Sequence, residues 1–139
     1  MAKDELKAEK EKAQADENFQ KGIALRREMF GQAGAEDQIE AATDFNLPLQ
    51  DVVTRICFGE VWQRPVLDKK MRSIITLAML VAMGRSHEVK IHTRGAIANG
   101  VTKEEIRELL LHSFLYCGIP LAVDGYRSAS EVLKELGLE

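Results

Sequence analysis

The sequence predicts an all-α fold, a compact domain of six or seven helices, and three observations lead there. Apolar residues recur at three- and four-residue intervals along most of the chain. No run alternates apolar and polar residues as a half-buried strand would. Helix stops and starts follow one another closely, as in Asn99-Gly100 and the capping box Thr102-Lys-Glu-Glu105.

Taken in order, residues 3 to about 18 are nearly all Lys, Glu, Ala, Asp and Gln, which favour helix but offer little to bury. They are expected to form a solvated extension, residues 1–18, running into the first helix of a single domain over residues 19–139. From Phe19 the pattern gains Ile23, Met29 and Phe30, and the helix should stop between Gly31 and Gly34. Asn46 is a candidate N-cap with Pro48 in the first turn, and Leu49, Val52, Val53, Ile56 and Cys57 follow helical spacing. Gly59 to Pro65 reads as an ordered connection. Asp68 to Met83 is apolar almost all round, which predicts a helix buried on most sides. Gly84 should end it, Ser86 should cap the next, and Asn99-Gly100 should stop that one. Ile106, Leu109, Leu110 and Phe114 form the expected inner face of the following helix. Tyr116-Cys-Gly-Ile-Pro120 breaks the chain before a last helix with Val123, Tyr126, Val132 and Leu133 as its stripe. Helices joined by such short loops pack as antiparallel neighbours.

The 139 residues suffice for one proper core, and 45% hydrophobic with 29% charged residues fits a globular protein. A net charge of −3 gives no electrostatic case for nucleic acid as a partner. Cys57 and Cys117 form no CxxC and read as small buried hydrophobes. The N-terminus lacks a signal peptide's apolar core, and the run from Ile74 to Met83 is too short to cross a bilayer. A cytoplasmic protein with no membrane partner is the expectation.

Chemistry centres on Glu88 and His92, which stand at i and i+4 and so project from one helix face. By spacing alone such a pair reads first as a surface contact worth a few tenths of a kcal/mol. Its alternative is an acid/base pair in which the carboxylate orients the imidazole and keeps it protonated near neutral pH. His87 falls in a first helical turn and should be exposed, whereas His112 lies among leucines and should be buried. The five-residue spacing of His87 and His92 is off-face for a helical metal pair, so no metal site is expected. Arg72, Arg85 and Arg94 are possible anion clamps. Arg72 is the most interesting, standing where a polar first turn meets an apolar helix. Glu60, Trp62 and Tyr116 stand at helix ends, where pockets between helices open.

An ordered series of these residues resembles the carboxymuconolactone decarboxylase family. It runs through Arg26-Arg-Glu28, Ala42-Thr-Asp-Phe45, Gly59-Glu-Val-Trp62, Arg64-Pro65 and Leu67. It continues with Arg72-Ser-Ile74, Glu88, His92, Arg94-Gly-Ala96, Asn99-Gly100, Glu104-Glu-Ile106, Glu108, Tyr116, Gly118 and Pro120. The wider superfamily holds alkylhydroperoxidase-like proteins, whose chemistry uses a CxxC before a histidine on this same helix. Alignment on His92 puts Arg85 and Glu88 at those cysteine positions, which argues against a peroxide-reducing centre. The resemblance implies an alkylhydroperoxidase-like all-α fold assembling into a ring, a homo-oligomer of three or six chains. It implies a cofactor-free decarboxylase of aromatic catabolism, acting on the dianionic 4-carboxymuconolactone to give the β-ketoadipate enol-lactone. His92 and Glu88 would be catalytic, Arg72 would bind a substrate carboxylate, and Glu60, Trp62 and Tyr116 would shape the pocket. Another small-molecule ligand or reaction within the family is the alternative.

Overall fold

A computed structural model describes residues 2–139. Among them are eight α-helices and no strand. They divide between Val66 and Leu67 into two compact units.

In the first unit α1 (Lys3–Gln14) buries no residue, as its composition requires. It does not run on into the next helix as expected. Asp16 interrupts it, accepting a hydrogen bond from the Phe19 amide and capping α2 (Glu17–Phe30). A short α3 (Glu36–Glu40) follows, then α4 (Leu47–Val52), which continues as a π-helical stretch over Val53–Phe58. Asn46 precedes α4 but spends its side-chain carbonyl on the Thr43 amide rather than on the helix. The expected face is only partly kept, through Val53 and Cys57, which pack against the core. Leu47, Thr54 and Phe58 are buried, and Leu49, Val52 and Ile56 face outward.

This stretch packs hard on α2 through two glycines. A Cβ on Gly22 would stand 1.8 Å from the Thr54 carbonyl oxygen, and one on Gly59 would stand 2.0 Å from that of Asn18. The small core consists of Leu25, Met29, Phe58 and Trp62, with Phe30 meeting Phe58 edge-on at 5.7 Å. Beside it the Arg26 guanidinium is only 6% exposed. It donates to the Gly34 carbonyl, Gln50 and Thr54, which ties α2 to three later segments.

The second unit is a four-helix bundle of α5 (Lys69–Ala82), α6 (Ser86–Ala98), α7 (Lys103–Cys117) and α8 (Ile119–Glu135). Its polar links fix the directions. Asn99 donates to Ser73, so α6 returns antiparallel to α5. Lys70 pairs with Glu105 at 2.9 Å, so α5 and α7 start at the same end. Ser86–Asp124, Lys90–Glu131 and Arg94–Glu135 form three rungs that make α6 and α8 parallel. The core joins Leu77 and Val81 of α5, Val89 and Ala96 of α6, Ile106 and Leu110 of α7, and Ala129 and Leu133 of α8.

The expected stops hold: Gly84, Gly100 and Gly118 take φ of 68°, 90° and 90°, and Thr102 and Glu105 close their capping box. The expected faces change more. On α5 only Ser73, Leu77 and Val81 are buried while Met71, Met79 and Met83 are exposed, so it buries one stripe rather than most sides. Ser86 does not cap α6, because its hydroxyl donates to Asp124 instead. On α7 the inner row is Ile106, Leu110 and Ser113, with Phe114 turned out. On α8 the core side is small. A Cβ on Gly125 would stand 2.7 Å from Leu110 Cδ2, so Ala122, Gly125 and Ala129 admit α7 and α5 while Val123 and Tyr126 lie outside. Cys57 and Cys117 are half-buried thiols outside any disulfide, and Cys57 packs against the edge of the first unit's core.

Candidate active site

The candidate chemistry sits on α6. Its interior-facing Thr93 returns a hydrogen bond to the Val89 carbonyl, and Gly95 and Ala96 are buried, so the helix lies close against its neighbours. This seating leaves Glu88 and His92 on the adjacent, half-buried face.

Glu88 has a partner that spacing had offered as an independent clamp. Arg85 donates to both carboxylate oxygens, at 2.6 and 3.3 Å. That hydrogen bonding, aided by the backbone of the first helical turn, holds the Glu88 carboxyl below the usual carboxylate range. His92 responds to the opposite influence. Burial pushes its imidazole from 6.5 down to about 4, and the attraction of Glu88 only partly offsets this. The expectation of a histidine kept charged by its carboxylate is therefore reversed: at neutral pH His92 is a neutral imidazole, able to donate through one nitrogen and accept through the other.

Within the second unit the other sequence candidates stand apart from this pair. Arg72, on α5, donates through Nε to the Leu67 carbonyl at 3.1 Å. Its neighbour Ser73 meets Asn99, which puts Arg72 near the C-terminal end of α6, about 10 Å along the axis from the level of His92. Tyr116 ends α7 at the opposite end of the bundle, beside the start of α6. It is 79% exposed and rests on His112, ring centroids 5.1 Å apart. His112 is itself exposed, not buried, because it lies on the outer side of the Ile106–Leu110–Ser113 row. His87 is exposed as expected. Arg94 is committed to Glu135 at 2.8 Å. In the first unit Trp62 is a buried packing residue, and Glu60 is exposed.

Arg26 opens the family series in the sequence, but the series does not mark it as a buried, hydrogen-bonded side chain. Its place in an otherwise ordinary amphipathic helix held the signal, since it falls one turn after Gly22 on the row that also carries Leu25 and Met29. Among the described residues no group of three or more His, Cys, Asp or Glu is placed to hold a metal ion.

The fold and this face define an all-α protein with a carboxylate–imidazole pair on one bundle helix and no cysteine within α6. The chain is a member of the carboxymuconolactone decarboxylase family, whose model matches residues 48–131. It is 39% identical over 123 residues to a 4-carboxymuconolactone decarboxylase of Acinetobacter baylyi, covering 88% of this chain and 92% of that protein. It is also 39% identical over 118 residues to the nitrosuccinic acid decarboxylase npaB of Metarhizium robertsii, covering 85% and 82%.

Proposed function

We propose that the protein is a carboxy-lyase that removes carbon dioxide from 4-carboxymuconolactone, giving the β-ketoadipate enol-lactone. The similarity to the Acinetobacter baylyi enzyme along nine-tenths of both chains carries this reading. The equally similar fungal relative, named for nitrosuccinic acid, supports the reaction type and supplies a second candidate substrate. Both compounds lose a carboxylate from carbon beside an electron sink, a conjugated lactone carbonyl in one and a nitro group in the other. The common demands are to hold a multiply charged anion, stabilise the delocalised charge left by carbon dioxide, and return a proton to carbon.

His92 meets the second demand as a neutral donor. Its N–H hydrogen-bonds the oxygen on which charge develops, and it relays a proton from water to the ring carbon. Glu88 and Arg85 hold the start of α6 and set the local field, while Arg72 attracts a substrate carboxylate. Tyr116, at the end of the bundle where α6 starts, borders the pocket, and the reaction uses no cofactor. Peroxide reduction is disfavoured because Arg85 and Glu88 fill the dithiol positions.

The exposed apolar residues Met79, Met83, Leu111, Leu115, Ile119 and Val123 support assembly into a homo-oligomer, a ring of three or six. No helix among the described residues is long and apolar enough to cross a membrane. The reading places the enzyme in the cytoplasm, in aromatic catabolism.

The test is the rate of 4-carboxymuconolactone loss, with nitrosuccinate assayed beside it. Turnover of the lactone, falling by at least a hundredfold in His92→Ala with the helical spectrum unchanged, is the expected result. No turnover of either compound by the parent chain would overturn the reading.

A further inference from the structure

On the far side of the second unit, α7 and α8 enclose a groove of about 540 Å³ to which α6 contributes no residue. Its floor is the closed edge of the core, where Ile106, Leu110, Ala129 and Leu133 are each at most 5% exposed, and its open apolar lining is the Tyr126 ring. Its rim carries Lys103, Arg107 and Arg127. Arg107 is paired with Glu108 at 3.0 Å, whereas Lys103 and Arg127 enter no ion pair among the described residues. In a chain of net charge −3, three cations around one apolar floor are a local reversal of sign.

One acid does line the groove. The Glu139 carboxylate accepts a hydrogen bond from Ser130 Oγ at 3.0 Å. Tyr126 stands fixed at the wall by donating to the Arg107 carbonyl at 3.0 Å. The volume falls within the range of small-molecule sites, which combine an apolar lining with a few polar groups that fix orientation. An aromatic wall selects for a flat unsaturated body, a cationic rim selects for a negative head, and Ser130 already receives a carboxylate.

We propose that this groove is a second binding site, taking a small aromatic or unsaturated carboxylate. The ring lies against Tyr126, over the covered edge of the core, and the carboxylate meets Lys103, Arg127 and the Ser130 hydroxyl in place of the Glu139 side chain. The site stands independently of the decarboxylase reading, since none of its residues belongs to α6.

The test uses the full chain with 4-fluorobenzoate as probe, followed by fluorine NMR, and with 4-fluorobenzamide as its neutral counterpart. Saturable binding of the benzoate, at least tenfold weaker for the amide, is expected. The double variant Lys103→Gln, Arg127→Gln should weaken benzoate about tenfold, as loss of two partly screened charge contacts implies. Glu139→Gln should tighten it by removing the competing carboxylate. Equal binding of acid and amide, an unchanged affinity in the double variant, or no binding at all would overturn the proposal.

Discussion

Replacing His92 with Gln removes a titration on which stability should depend strongly. In the folded chain burial holds the imidazole at about 4 against its ordinary 6.5. Between those values the unfolded chain binds a proton that the folded chain excludes. The contribution of the neutral imidazole is therefore fully present above pH 6.5 and is lost as pH falls through about 4. The difference between the two values corresponds to about 3 kcal/mol, a large part of the 5–15 kcal/mol that keeps a domain of this kind folded. Gln fills similar volume and keeps a donor but does not titrate. Urea denaturation of parent and variant at one protein concentration, from pH 7.5 to 4.5, isolates the effect, because the carboxylates are common to both. The parent should lose about 2–3 kcal/mol more than the variant over this range. Parallel stability curves, or a His92 imidazole titrating at 6.5 or above by NMR, would refute the reasoning. A neutral His92 also requires decarboxylation to hold a plateau from about pH 5.5 to 8. A rate that falls with a midpoint near 6.5 as pH rises would instead identify the charged imidazole as the working form.

Arg85→Gln strips Glu88 of the cation that holds its carboxyl low. The Glu88 carboxyl should titrate higher by NMR, while the His92 imidazole, held down by burial, should stay well below its ordinary range. Gly22→Ala drives a Cβ to within 1.8 Å of the Thr54 carbonyl oxygen, where backbone and not a flexible side chain must yield. A loss of about 3 kcal/mol or more is expected on chemical denaturation. Thr102→Ala removes the hydroxyl that accepts from the Glu105 amide at 3.1 Å. It should lower stability by about 1 kcal/mol with decarboxylation unchanged.

The helices and their ends were readable in the sequence because they depend on local chemistry. Gly84, Gly100 and Gly118 are needed for positive φ, and Thr102 with Glu105 satisfy their own amides whatever lies around them. Which face each helix buries was less readable, because it depends on partners distant in sequence. Of the series with helical spacing, Val53 and Cys57 pack against the small core, whereas Leu49, Val52 and Ile56 lie on the outer side. Gly125 and Ala129 look like poor core residues until Leu110 and Val81 are seen to fill the space they leave. Glu88 and His92 were found by their four-residue spacing, but the ionic state of His92 was not. A pattern of residue types contains no measure of burial, and burial outweighs the carboxylate here. Arg85 was legible as a cation and not as the partner of Glu88, since a three-residue spacing permits the contact without requiring it.

The rungs from Ser86 to Asp124, Lys90 to Glu131 and Arg94 to Glu135 bridge 38 to 41 positions of sequence. During synthesis the helix that bears Glu88 and His92 is therefore complete well before the partner that seats it. Until the last helix has left the ribosome, α6 lacks its neighbour and the second unit has only part of its core. The order of manufacture thus makes the candidate catalytic face one of the last features of the protein to be set. A nascent chain stopped at residue 118 should expose α6 to proteolysis, and extension through residue 135 should protect it.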